Sequence, residues 1–123
     1  MVTLTESLED YIEAIYELAQ SKGIVRVKDV ARKLGVTMPS VNGALKNLEA
    51  KGLITHEKYE CIEISNKGAM IASVILNRHK TIFTFLNEVL DVEQETAELE
   101  ACKIEHDLSV ETLKKLSDFL KGR

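Results

Sequence analysis

Apolar side chains recur every three to four positions through most of the chain, the spacing that lines one face of an α-helix. Leu8, Ile12, Ile15, Leu18 and Ala19, flanked by Tyr11 and Tyr16, mark a first helix over residues 5–21. Thr5 or Ser7 is placed to cap its start, and Gly23 to end it. Val27, Val30, Ala31 and Leu34 share the face of a second, shorter helix that stops at Gly35. Val41, Ala44, Leu45 and Leu48 do the same for a third, from Thr37 to Ala50, with Thr37 as N-cap, Pro39 in the first turn and Gly52 at the end. The second and third helices, joined by Gly35-Val36-Thr37, form a helix-turn-helix pattern whose second member is the reader.

A helix pair of this kind also occurs in ordinary bundles, so the residues C-terminal to it decide the architecture. Leu53-Ile54-Thr55-His56 and Cys61-Ile62-Glu63-Ile64 are short strand-like runs, joined by a polar turn at Glu57-Lys58-Tyr59-Glu60. Three helices and then a hairpin make a winged helix. Ser65-Asn66-Lys67-Gly68 next opens a long helix carrying Ile71, Val74, Ile75, Ile82, Phe85, Leu86, Val89 and Leu90. Asp91 is placed to cap a further helix from about Glu93 to Asp107, and Ser109 opens a last one with Leu113, Leu116, Phe119 and Leu120.

The pattern predicts a mainly α protein: an N-terminal winged helix-turn-helix over residues 1–68, then a helical dimerisation domain over 69–123. The later helices are too few to bury their apolar faces among themselves, and a homodimer interface is the economical cover. Paired half-sites on a DNA duplex would suit such a dimer.

Composition narrows the class. At 45% hydrophobic and 29% charged, with one proline, the chain is ordered and globular. No apolar run approaches the roughly 18–20 residues that span a bilayer, and no signal-peptide pattern opens the chain. Two cysteines without a spacing framework point to free thiols and a cytoplasmic setting. The net charge of −4 argues against nucleic acid until its distribution is considered. Between Lys22 and Lys58 there are eight basic and three acidic residues, a local charge of +5, whereas residues 76–123 carry −3. A basic segment in an acidic protein can track phosphates while the remainder limits non-specific binding.

Candidate chemistry concentrates late in the chain. Cys102, Glu105 and His106 fall in one sector of a helix and bring together thiolate, carboxylate and imidazole at ligand spacing. His79 lies midway along the long helix, and Asp10 and Glu13 form a carboxylate pair on the first. Each has an ordinary alternative: a small buried cysteine, a helix-end histidine, a solvated acidic face. His56 and Cys61 read as packing residues of the wing.

Glu9-Asp10-Tyr11-Ile12-Glu13-Ala14-Ile15-Tyr16, Arg78-His79 and Cys102-x-x-Glu105-His106-x-Leu108-Ser109 together resemble the diphtheria-toxin-repressor and manganese-transport-regulator family. The resemblance covers essentially the whole chain and is to the short form, without the SH3-like domain of longer members. It implies a metal-activated, dimeric, winged-helix repressor acting on a double-stranded DNA operator, with no membrane and no small-molecule substrate. It places metal ligands at Asp10, Glu13, His79, Cys102, Glu105 and His106. Manganese-type members have two carboxylates on the first helix, as here, but typically Glu in place of Cys102. Iron-type members have that cysteine but Met in place of Asp10. Their second site uses a Glu where this chain has Phe83 and a His where it has Glu98, so Glu98 is a further candidate ligand. The mixed oxygen, nitrogen and sulfur donors fit Fe²⁺ best and Mn²⁺ next, with Co²⁺, Ni²⁺ or Zn²⁺ able to substitute in vitro.

For DNA, the reader's Thr37, Pro39, Ser40, Asn42 and Lys46 are the candidate contacts, with Lys28, Arg32 and Lys58 on phosphates. Gly43 departs from the family, where a longer polar residue often reaches the bases. An enzyme is not expected: there is no Gly-rich phosphate loop, and carboxylates around Cys102 work against a reactive thiolate. The alternatives retained are a winged-helix regulator that responds to a small molecule or to thiol oxidation, and a purely protein-binding winged helix.

Overall fold

The computed structural model describes residues 4–57 and 61–123 and divides into two compact units, Met1–Ser73 and Val74–Arg123. The first unit contains α1 (Glu6–Lys22), α2 (Val27–Leu34), α3 (Met38–Ala50), a hairpin of β1 (Ile54–His56) and β2 (Ile62–Ile64), and the start of α4 (Asn66–Thr84). The capping chemistry explains the boundaries. Thr5 Oγ1 accepts a hydrogen bond from the Leu8 backbone at 3.2 Å, and Gly35 closes α2 in the left-handed conformation at φ 66°. Thr37 Oγ1 accepts from the Ser40 backbone at 3.2 Å, with Pro39 in the first turn of α3, where a missing N–H has no consequence.

The core of this unit is the set of inward stripes read from the sequence: Ile12 and Ile15 of α1, Val30 of α2, Val41, Leu45 and Leu48 of α3, and Leu53 and Ile54 of the wing, all essentially without solvent exposure. Each such side chain contributes roughly 1.5–3 kcal/mol relative to an exposed one. β1 and β2 pair antiparallel, Ile54 with Ile64 and His56 with Ile62. Val25, in the α1–α2 link, bridges to Ile62, whose N–H donates to the Val25 carbonyl at 2.9 Å. The wing is thereby tied to the helix-turn-helix by backbone, which the hydrophobic pattern did not indicate. His56 and Cys61 are half-buried in the wing. Glycine is required at position 68, because a Cβ there would overlap the Leu53 carbonyl oxygen. Asp29 is buried at the start of α2, accepting from the Arg26 backbone at 3.0 Å and from Lys22 Nζ at 2.9 Å. Those two donors hold its carboxyl below the usual aspartate range, the Lys22 hydrogen bond most of all and against the effect of burial.

The second unit continues α4 into a π turn (Phe85–Val89), then α5 (Gln94–Ile104) and α6 (Val110–Lys121). Phe85 meets Phe119 edge to face, ring centroids 6.1 Å apart, and Arg123 pairs with Glu88, so α6 is held to the π turn. Ser109 caps α6 as its sequence suggested, accepting from the Thr112 backbone. Asp91 does not cap α5. It has φ 61° and closes the preceding helix as a left-handed residue, while Glu93 is the N-cap of α5. That helix ends at Ile104, earlier than Asp107, and Glu105 and His106 lie in the turn beyond it. Leu90, Leu99, Val110 and Phe119 leave large apolar surface exposed on this unit. Among the described residues no helix is long and apolar enough to cross a membrane.

Candidate metal centre and nucleic-acid interface

Within the second unit, α4 presents His79, and α5 with the turn after it presents Glu98, Cys102, Glu105 and His106. Spacings of four and three bring 98, 102 and 105 onto one stripe, beside the fully buried Ala97 and Ala101. His79 is engaged at both ring nitrogens: Nε2 lies 2.9 Å from Glu98 Oε1, and Nδ1 lies 3.2 Å from Glu105 Oε2. Glu98 is exposed, whereas the Glu105 side chain has no solvent exposure at all. His106 Nε2 lies 3.4 Å from Glu105 Oε1, and the His106 side chain is itself nearly enclosed.

Two carboxylates around one imidazole stabilise its protonated form. The His79 pKa is raised to about 9, mainly by the hydrogen bond to Glu105 and then by the charges of Glu98 and Glu105, against the cost of burial. Glu105 Oε1 has no hydrogen-bond partner among the described residues. Its nearest polar neighbour is His106 Nε2 at 3.4 Å, an ion-pair distance that offsets the cost of burial only in part. One ligand atom each from His79, Cys102 and Glu105 fall within 4.8 Å of one another. Imidazole, thiolate and a carboxylate with an unused lone pair, drawn together from two helices, fit a divalent transition ion chemically.

The structure thus gathers His79, Glu98, Cys102 and Glu105, with His106 against Glu105. Asp10 and Glu13 belong to the first unit, three residues apart on α1 and both half-buried beside the core stripe of Tyr11, Ile12, Ala14 and Ile15. The burial of Glu105 was not readable in the sequence, since a glutamate in an acidic stretch gives no sign of being enclosed.

The reading face of α3 is built by the same division of sides. Val41, Ala44, Leu45 and Leu48 are buried, which leaves Pro39, Ser40, Asn42, Gly43 and Lys46 exposed. Thr37 is partly committed, since its oxygen caps the helix and its hydroxyl donates to Ser40 Oγ at 2.9 Å. Lys28 and Arg32 are exposed one turn apart on α2. Lys58 lies outside the described residues. Sequence reasoning passed over Met38, which is 45% exposed at the first turn of α3 beside Pro39. An apolar side chain there suits a thymine methyl group. The sequence carried no signal for it: Met38 stands three residues before Val41, in register with the buried stripe, and its exposure appears only in the fold, at the first turn of α3.

Comparison with known proteins places both halves. A family model described as the N-terminal DNA-binding domain of iron-dependent repressors matches residues 3–62, and one described as their metal-binding and dimerisation domain matches 65–122. An HTH-type transcriptional regulator of Methanocaldococcus jannaschii is 36% identical over 119 residues, covering 96% of this chain and 95% of its own length. The HTH-type transcriptional regulator MntR of Bacillus subtilis is 33% identical over 117 residues, covering 95% of this chain and 82% of its own. The crystal structure of IdeR from T. acidophilum superposes with a TM-score of 0.83 at 25% identity, covering 98% of this chain. The chain spans 56% of the length of that solved structure.

Proposed function

The chain belongs to the iron-dependent repressor family, the group of the diphtheria toxin repressor and the manganese transport regulators, and on that premise we propose that it represses metal-homeostasis genes in response to Fe²⁺ or Mn²⁺. As a member of that family it is a metal-dependent, DNA-binding transcriptional regulator. In this reading residues 1–68 bind the operator, residues 69–123 bind metal and dimerise, and the homodimer works in the cytoplasm.

The observation that supports the reading best is Glu105, wholly buried with no hydrogen bond to Oε1 among the described residues, its ligand atom within 4.8 Å of those of Cys102 and His79. Fe²⁺ is favoured over Mn²⁺, because a thiolate beside carboxylates and imidazoles suits the softer ion. We assign His79, Cys102, Glu105 and His106 as ligands from this unit, Asp10 and Glu13 as those from α1, and Glu98 as an outer ligand through its contact with His79.

The donor residues themselves account for the switch. Asp10 and Glu13 of α1, with Glu105 and a Cys102 thiolate of the second unit, would bring up to four negative charges to the ion. A divalent ion, when bound, offsets that charge. Leverage on DNA binding equals the difference in ion affinity between the DNA-competent state and the other. A hundredfold change in DNA affinity requires about 2.7 kcal/mol of such coupling.

The test is operator binding titrated metal by metal under anaerobic conditions, with and without chelator. Wild-type chain should lose DNA on chelation and recover it with Fe²⁺, less well with Mn²⁺. Asp10→Ala and His106→Ala should abolish the metal response, and an unchanged response in either would sink the ligand assignment. On the DNA side, Lys46→Ala should weaken binding across all sequences and reduce the salt slope by about one.

A further inference from the structure

The route from His79 to the α5 ligands passes through an irregular piece of backbone. After Thr84 the helix widens into the π turn, where the Leu90 N–H bonds back five residues to the Phe85 carbonyl at 3.1 Å. The Val92 N–H then reaches the Leu86 carbonyl at 2.8 Å, six residues back, one more than an ordinary Schellman close spans. Asp91 takes the left-handed conformation in between, φ 61°, and is the one non-glycine among the described residues to have a positive φ. The Asn87 side chain fastens the link, Nδ2 donating to the Val92 carbonyl at 2.9 Å.

One extra residue in a helical turn rotates the rest of the helix by about 100°. The link has only Leu90 to Glu93 before α5 begins, so no long loop absorbs the difference. Glu98 and Cys102 of α5, with Glu105 in the turn that follows it, meet His79 as a single stripe, and a stripe is what a phase error would turn away. Aspartate tolerates the left-handed region through its short polar side chain, where most residues pay a steric cost. Irregular helical turns of this kind are common beside functional sites.

We propose that the π turn, the Asn87 hydrogen bond and left-handed Asp91 form a positioning element that sets the phase of α5 and so brings the ligand stripe to His79. Asn87 and Asp91 are positioning residues: each acts through the backbone of the link, Asn87 by its bond to the Val92 carbonyl and Asp91 by its left-handed conformation. The proposal rests on the reading of those donors as a metal site, and its test separates the two.

The probe is Co²⁺, followed anaerobically in the full-length chain by calorimetry and by the thiolate-to-cobalt charge-transfer absorption, alongside thermal melting. Asn87→Ala should weaken Co²⁺ binding about tenfold and alter the absorption, the effect of losing an outer supporting hydrogen bond. Asn87→Asp, isosteric but with a carboxylate oxygen in place of the donor and facing the Val92 carbonyl, should do the same and answers the question where the alanine variant does not fold. Asp91→Gly, free to keep the left-handed conformation, should retain wild-type affinity and spectrum, and Asp91→Val should lose both. Wild-type affinity and spectrum in Asn87→Asp or Asp91→Val, with only the melting temperature lowered, would reduce the segment to a structural role and overturn the proposal. Wild-type chain that binds Co²⁺ no better than His106→Ala, or shows no thiolate band, would overturn the metal reading and this proposal with it.

Discussion

His79 and Glu105 are partners of opposite solvent character: Nδ1 of a partly accessible imidazole lies 3.2 Å from Oε2 of a carboxylate with no exposure. Glu105 is the largest influence on the His79 proton. Glu105→Gln keeps the volume and removes the charge. The His79 pKa should then fall from about 9 toward its ordinary value, read from the imidazole resonances in the metal-free chain. Metal affinity should drop at least tenfold in the same variant, read by calorimetry.

The raised pKa also fixes a pH dependence. A group whose folded pKa lies above its unfolded value stabilises the fold fully below the unfolded value, 6.5, and loses that contribution as pH rises through about 9. The metal-free chain should therefore melt at progressively lower temperature across that window, and His79→Gln should flatten the slope. Metal uptake near neutral pH should release the His79 proton, seen as a calorimetric heat that varies with the ionisation enthalpy of the buffer.

Asp29 works in the opposite sense. Its folded pKa is below the ordinary aspartate value of 3.8, so its contribution is complete above that value and is lost as pH falls through the depressed one. Asp29→Ala should cost about 1 kcal/mol near neutral pH through the lost cap on α2 and should blunt the acid limb of the melting curve. Lys22→Gln should shift the Asp29 titration upward, since Lys22 is the chief cause of its depression.

Caps and stripes were legible because their physics is local. Thr5, Thr37 and Ser109 each satisfy a backbone N–H three residues on, and the apolar positions of α1 to α3 are buried as their spacing required. What escaped depends on residues far apart in sequence. Val25 pairs with Ile62 through backbone that carries no compositional mark, and the enclosure of Glu105 is set by packing. Asp91 is the instructive error. An aspartate just before an amphipathic run has the chemistry of an N-cap, but the π turn had already placed it at the close of the preceding helix, a role its short carboxylate fills equally well. Glu98, Cys102 and Glu105 could be grouped by spacing, whereas their approach to His79 joins positions 19 to 26 residues apart and leaves no mark in the pattern.

Gly68 offers a check on the wing. It passes for a helix-start glycine in the sequence, yet its lack of a side chain is what lets α4 lie against the Leu53 carbonyl. Gly68→Ala should destabilise by about 1–3 kcal/mol, the usual cost of overpacking, despite alanine's better helix propensity. Thermal melting of the metal-free chain reads it directly.

Gly43 is the reverse case. It sits mid-helix on the exposed side of α3, with open space where a Cβ would be and an unremarkable φ. A glycine there weakens the helix by about 1 kcal/mol relative to alanine, so folding gains nothing from it. Any non-proline side chain could enter at that point without disturbing the core. On the proposed reading of α3 as the operator-facing helix, the chain keeps a vacant letter in the middle of that face, one that a single codon would fill while the scaffold beneath becomes, if anything, firmer.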